Sequence, residues 1–196
     1  MFKNKTYKLI FFFFLICYST LNTYSQNNID SLKSIWENSQ KADSTRFNAI
    51  NKFYENNSFE QPDSILKITN YHYKLAKERN SIIEMTYSLS QKYRAYYKKG
   101  DIKKAMQTLE ENVSLNKKLN DKKALTIIYS NMGNIYGEQG KYQEAVRYFN
   151  MTLAYFQENK IEKSEGAVLN NLGIIYFYMG NNDLALKHFK RALLLY

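Results

Sequence analysis

Apolar and small residues recur every 40 positions along the second half of the chain, with polar residues between them. The recurring positions are Tyr96, Tyr136, Tyr176; Ala105, Ala145, Ala185; Leu109, Phe149, Phe189; and Gly100, Gly140, Gly180. A fixed period of this length is typical of a solenoid, in which each unit buries its apolar face against its neighbours. The chain has only 7 Gly and 1 Pro, so few helix breakers interrupt the pattern. We therefore predict an all-α fold built from antiparallel helix pairs.

The same period divides the chain into segments. Residues 26–45 are predicted to form a short amphipathic helix and a linker, followed by a repeat region over 46–196. Its four units are 46–85, 86–125, 126–165 and 166–196, each read as two helices. The first unit is the most divergent and rests on register and on Pro62, which falls where a second helix should begin. About three to four units are expected on this basis.

Glycine and alanine columns predict close contacts between the two helices of a unit. The packing positions of the last two units are Gly133, Tyr136, Ala145, Phe149, Gly173, Tyr176, Ala185 and Phe189. A Cβ atom at Gly133 or Gly173 would hold the paired helices apart, and Gly133-x3-Gly137 is read as packing within one unit. Phe149 and Phe189 are expected to reach the following unit. Gly140 and Gly180 are expected to end the first helix in a left-handed conformation.

These spacings carry a family resemblance. The segment Tyr129-x2-Met132-Gly133-x2-Tyr136 precedes Ala145-x3-Phe149, and Leu169-x2-Leu172-Gly173-x2-Tyr176 precedes Ala185-x3-Phe189. Both resemble the tetratricopeptide repeat (TPR), although 40 residues exceed its usual length of about 34. This long form resembles the repeats of kinesin light chains, of LGN-type spindle adaptors and of many bacterial regulators. The resemblance implies a right-handed α-solenoid, the TPR superhelix, that binds a protein or peptide partner without catalysis.

The first helices of the units are expected to line the concave face of this superhelix. The predicted peptide-binding groove residues are Tyr87, Arg94, Tyr97, Asn134, Glu138, Asn170, Phe177 and Tyr178. The resemblance implies that Asn134 and Asn170 hold the backbone of an extended peptide, because a carboxamide offers both a donor and an acceptor. The alternative is that they are ordinary surface residues of an asparagine-rich chain, and for Arg94 this alternative is favoured.

Residues 1–25 are predicted to be a secretory signal peptide. Three lysines precede an apolar stretch from Leu9 to Ile16, and Thr23-Tyr24-Ser25 suggests cleavage before Gln26. Lipid attachment at Cys17, the one cysteine, is disfavoured because Ile16 is too large for the position before it. The expected location is periplasmic or extracytoplasmic. Anchoring to the inner membrane, by an uncleaved N-terminus or by a missing C-terminal part, is the alternative.

Charge and candidate chemistry narrow the function further. Without the three N-terminal lysines the formal charge falls from +10 to +7, and no basic block exceeds two residues. A nucleic-acid partner is therefore not expected. The two histidines, His72 and His188, lie in separate units without a ligand at metal spacing, so neither a metal nor a cofactor is predicted. His72 is expected at a helix contact and His188 in solvent.

The apolar residues at the end of the last predicted helix indicate a contact with another unit or another molecule. An apolar segment, Leu193-Leu194-Leu195-Tyr196, falls where a following unit would pack, and a solenoid normally ends in a polar cap. Self-association through helix 183–196 is one expectation. The other is that the sequence is part of a longer protein, resembling the extracytoplasmic sensor half of bacterial membrane regulators of the histidine kinase or helix-turn-helix type.

Overall fold

The computed structural model describes residues 29–56 and 61–195, so the predicted signal peptide, 1–25, lies outside the described residues. Helices dominate both ranges and no strand occurs in them, which confirms the predicted all-α class. The helices are α1 (29–36), α2 (Asp43–Asn56), α3 (Pro62–Glu78), α4 (Ile82–Lys98), α5 (Ile102–Leu119), α6 (Lys122–Glu138), α7 (Tyr142–Glu158), α8 (Glu162–Tyr178) and α9 (Asn182–Leu193). No described helix combines the length and apolar character needed to cross a bilayer.

The chain forms two compact units, Met1–Gln61 and Pro62–Tyr196. In the first unit, Trp36 is buried and packs edge-on against Phe53, with ring centroids 5.6 Å apart. The Arg46 guanidinium donates a hydrogen bond from Nε to the Trp36 carbonyl oxygen at 2.9 Å. This buried bond ties the start of α2 to the end of α1.

In the second unit each helix packs against the next along the chain, from α3 to α9. Loops of two or three residues join them, so consecutive helices run antiparallel. The helices α4, α6 and α8 begin at Ile82, Lys122 and Glu162, and this spacing repeats the 40-residue period of the sequence. As predicted, Pro62 is the first residue of its helix.

The helix pairs begin four residues before the predicted unit boundaries at 86, 126 and 166. Recurring columns give the period of a repeat but not the residue at which a helix starts. Capping residues give that start: the side chain of Ser81 accepts from the backbone N–H of Glu84, and Asp121 accepts from that of Ala124.

A residue in the left-handed conformation follows the helix both at the turns within a helix pair and at the turns between pairs. Gly100, Gly140 and Gly180 have φ values of 75°, 71° and 76°, which confirms the prediction for the last two. At the other turn the equivalent positions are Asn80, Asn120 and Lys160, with φ values of 54°, 53° and 54°. Asparagine tolerates this conformation better than lysine does, so Lys160 is the strained member of the series.

Close helix contacts depend on the small residues, as the sequence indicates. A Cβ atom added to Gly133 would lie 2.9 Å from the ring of Phe149, and one added to Gly173 would lie 2.5 Å from the ring of Phe189. Ala145 and Ala185 are buried in the same helix pairs. These contacts explain why the α6–α7 and α8–α9 pairs have glycine at this position.

The predictions for Gly137 and His188 need correction, and Phe149 has one contact more than predicted. Phe149 does join a core cluster with residues of the following pair, but its ring also covers Gly133 of its own pair. Gly137 serves a contact between pairs rather than within one, because a Cβ atom there would lie 2.8 Å from Cδ1 of Ile175 in α8. His188 is half-buried and stacks on Tyr176, at 5.3 Å and 3°, instead of pointing to solvent.

Candidate functional site

Two cavities adjoin along the side of the second unit that α4, α6 and α8 form. The first, here the tyrosine cavity, has a volume of about 480 Å³. Its polar and aromatic lining is Tyr93, Tyr97, Tyr142, Phe149, Tyr178, Asn134, Asn171 and Glu138. The second, here the asparagine cavity, has a volume of about 640 Å³ and is lined by Asn112, Asn116 and Asn131, with Tyr87 and Arg94.

Tyr93 and Tyr97 line both cavities, so the two adjoin at these side chains, and together we call them the first-helix groove. Its position follows from the repeat. Residues of α4, α6 and α8 that lie 40 apart occupy equivalent places on their helices. Gly137 lines the tyrosine cavity at the place where Tyr97 stands one repeat earlier, and its missing side chain opens the space beside Ile175.

The structure brings most of the predicted groove residues together. Tyr87 and Arg94 line the asparagine cavity, Tyr97 lines both cavities, and Asn134, Glu138 and Tyr178 line the tyrosine cavity. Two predicted residues line neither: Asn170 is exposed, and Phe177, 60% exposed, lies beside Tyr178 at a ring distance of 6.0 Å. A role in binding is untested for all eight, and we assign none to Asn170 and Phe177 below because they line neither cavity.

Asn171 lines the tyrosine cavity and was missed in the sequence. Its Nδ2 donates a hydrogen bond to Oδ1 of Asn134 at 3.4 Å, so one carboxamide from α6 and one from α8 lie side by side. The signal that could have identified it is the recurrence of asparagine at 131 and 171, on equivalent places of two first helices.

The wall of the asparagine cavity is a buried polar network. Asn112 and Asn116 are each 1% exposed, and Nδ2 of Asn116 donates to Oδ1 of Asn112 at 2.8 Å. Asn112 in turn donates to Oγ of Ser90 at 3.0 Å. Buried carboxamides that bond to each other in this way stabilise the wall and are already satisfied.

Glu138 gives the tyrosine cavity its charge. Its carboxylate accepts a hydrogen bond from the hydroxyl of Tyr97. That bond, with burial and the negative charge of Glu138, raises the pKa of Tyr97 to about 12. Burial also raises the pKa of Tyr93, with a further contribution from Glu138 and an opposing one from Arg94. Within residues 29–56 and 61–195, no lysine or arginine forms an ion pair with Glu138.

The described residues hold no group of three metal-ligating side chains. His72, which is fully buried, instead pairs with Glu84 at 2.9 Å between α3 and α4. This agrees with its predicted place at a helix contact.

Comparison with known proteins identifies the repeats. A tetratricopeptide repeat model matches residues 90–158, and a second tetratricopeptide repeat model matches residues 166–196. No curated protein matches the sequence.

Solved structures agree on the fold. BtubC (BKLC) from P. vanneervenii superposes with a TM-score of 0.72 at 14% identity, over 86% of this chain and 70% of that one. A candidate kinesin light chain of Podosopora anserina with nearly identical TPR-like repeats gives 0.66 at 16% identity, over 92% and 91% of the two chains. At such identities the likeness establishes the α-solenoid and nothing more specific.

Proposed function

Because residues 90–158 and 166–196 are tetratricopeptide repeats, we propose that this chain is a non-catalytic scaffold that binds an extended peptide segment of a protein partner. The proposed binding site is the first-helix groove. The extent of the two cavities over α4, α6 and α8 supports the proposal most strongly, since an extended segment needs a site longer than one repeat.

The two adjacent carboxamides supply the means of holding such a segment. Asn134 and Asn171 are joined by a long bond of 3.4 Å and line the cavity, so their remaining donors and acceptors can bind peptide N–H and C=O groups. Each hydrogen bond of this kind contributes about 0.5–1.5 kcal/mol net. The binding is therefore expected to tolerate many side chains, because the backbone provides the contacts.

The experiment is selection of a random peptide library on the full chain, followed by titration of selected peptides. Asn134→Ala and Asn171→Ala should each raise Kd about three- to tenfold, the equivalent of one lost hydrogen bond. Asn170→Ala is the matched control, because this neighbour is exposed and lies outside both cavities. Equal Kd values for Asn171→Ala and Asn170→Ala, or selection of no peptide, would contradict the proposal.

We propose that residues 1–25 direct export and are removed before Gln26, so that the repeats act outside the cytoplasm. The lysines ahead of the apolar stretch Leu9 to Ile16 support this. N-terminal sequencing of the protein recovered from the expressing cell tests it. A mature chain that begins at Gln26 is expected, whereas retention of residues 1–25 in a cytoplasmic fraction would contradict export.

We also propose that α9 associates with α9 of a second copy of this chain. Leu153 is buried in the core that α7 shares with α8, whereas its equivalent one period later, Leu193, is 76% exposed. Leu186 on the same helix is 53% exposed. Sedimentation velocity should detect a dimer that Leu193→Glu disrupts, and a wild-type monomer at high concentration would rule it out.

A further inference from the structure

The tyrosine cavity has the chemistry of a site for a cation. Tyr93 and Tyr97 of α4 stand on one side, with ring centroids 6.0 Å apart. Tyr142 of α7 and Tyr178 of α8 stand on the other, stacked at 6.0 Å and 7°. Glu138 of α6 belongs to the same lining. Tyrosine rings and a carboxylate that line one cavity can both attract a positive group, because the negative face of a ring and the anion act in the same direction.

Among the described residues, the cation–π contacts involve other tyrosines than the four of the cavity. Elsewhere Lys104 lies 5.5 Å from the ring centre of Tyr96, and Arg147 lies 4.8 Å from that of Tyr148. Across the described residues, no lysine or arginine lies over any of the four tyrosines of the cavity. The nearby Arg94 lines the asparagine cavity instead. A positive group from outside therefore finds both the rings and the carboxylate available.

Glu138 is held in place for such a role. The hydroxyl of Tyr97 donates to one carboxylate oxygen, Oε1, which leaves the other oxygen for a ligand. An ammonium or guanidinium group binds a carboxylate through a charge-assisted hydrogen bond, about twice as strong as a neutral one. The orientation by Tyr97 also reduces the side-chain entropy that a ligand would have to remove.

We propose that the tyrosine cavity binds a lysine or arginine side chain of the partner peptide, between the tyrosine rings and the carboxylate of Glu138. The inference rests on the proposed function, because it assigns a side-chain pocket within the first-helix groove. A basic ligand is not what the net charge of the whole chain, +10, would favour by itself, since a positive protein attracts acidic partners. Local geometry decides here, since charges farther than about 8 Å away are largely screened at physiological ionic strength.

The test uses the peptides selected on the full chain. A lysine or arginine should recur at one position, and its replacement by glutamine should raise Kd about three- to tenfold, the combined effect of a cation–π contact and an ion pair. Glu138→Gln should raise Kd by a similar factor for the basic peptide and leave Kd unchanged for the glutamine peptide. The carboxamide that this change introduces can still accept from the hydroxyl of Tyr97, so the fold is unaffected. Glu144→Gln, an exposed change outside the cavity, is the control.

A second pair of variants tests the rings independently of the charge. Tyr178→Leu removes a cavity ring and should raise the Kd of the basic peptide about threefold, as expected for an exposed cation–π contact. Phe177→Leu removes a ring of similar exposure that lies outside the cavity, and it should change nothing.

The outcomes separate the two proposals. Selected peptides without a recurring basic residue, or a Kd indifferent to both Glu138→Gln and Tyr178→Leu, would overturn the cation site and leave the groove intact. Failure to select any peptide would overturn both.

Discussion

Replacement of Gly133 by alanine tests the close approach of α6 and α7. The new Cβ atom would lie 2.9 Å from Cδ1 and Cε1 of Phe149 and 3.1 Å from Cζ. These distances are shorter than carbon atoms tolerate, and Phe149 is 1% exposed, so its rigid ring has no free space to enter. Overpacking of this kind costs about 1–3 kcal/mol, whereas alanine in a helix gains about 1 kcal/mol over glycine. A net loss of about 1 kcal/mol in the free energy of unfolding is expected.

The α4–α5 pair of this chain suggests how the clash can be relieved. Tyr93 occupies the position equivalent to Gly133, and Leu109 occupies the position equivalent to Phe149. A large side chain on the first helix is thus accompanied by a smaller one on the second. Gly133→Ala should therefore be less harmful in a Phe149→Leu background, with a coupling energy of about 1 kcal/mol in a double-mutant cycle.

Urea denaturation followed by circular dichroism measures these free energies. Gly137→Ala is the comparison, because its Cβ atom makes a single short contact, with the terminal methyl Cδ1 of Ile175 at 2.8 Å, and this methyl can rotate away. It should be nearly neutral. An increase in stability of about 1 kcal/mol for Gly133→Ala, as at an open helical site, would refute the close approach. So would the absence of any coupling to Phe149→Leu.

Two further predictions concern a turn and the groove. Lys160→Asn should raise the free energy of unfolding by about 0.5–1 kcal/mol, and Asn120→Lys should lower it by a similar amount. Both positions have a left-handed backbone, which asparagine tolerates better than lysine does. Unchanged urea midpoints would contradict this. Tyrosinate absorbance should show the pKa of Tyr97 at about 12 and its return toward 10.0 in Glu138→Gln. Because the folded-state pKa lies above the unfolded value of 10.0, this phenol's contribution to stability is complete below pH 10 and is lost as the pH rises toward 12. A Tyr97 that titrates near 10 in the wild type would contradict the bond to Glu138.

The period of the sequence was sufficient to predict the fold of the repeats. Tyr, Gly, Ala and Phe columns carry the contacts of the α6–α7 and α8–α9 pairs, so their spacing predicts helix pairs without knowledge of coordinates. The residue at which each helix pair begins was harder to predict, because it depends on capping residues such as Ser81 and Asp121. Side-chain direction was harder still: Asn170 and Asn171 are adjacent, and the choice between them depends on about 100° of helix rotation.

Contacts between neighbouring repeats were also difficult to predict from the sequence. Gly133 recurs as Gly173 one period later whereas Gly137 does not recur, but this difference does not reveal that Gly137 faces the next pair and Gly133 its own. The tyrosine cavity joins residues of α4, α6, α7 and α8, which no single repeat motif contains. A motif describes one unit, whereas the groove arises from how units stack. The sensor alternative stays a prediction that depends on sequence outside the 196 residues.

The left-handed turns have a consequence for how the gene can change. Gly100 and Gly140 close equivalent turns with nearly the same φ, so excision of residues 101–140 would rejoin the chain at an unaltered turn. Recombination between neighbouring repeats would therefore shorten or lengthen the protein by one whole module while every junction keeps its geometry. The length of the proposed groove is thus open to selection in steps of one module.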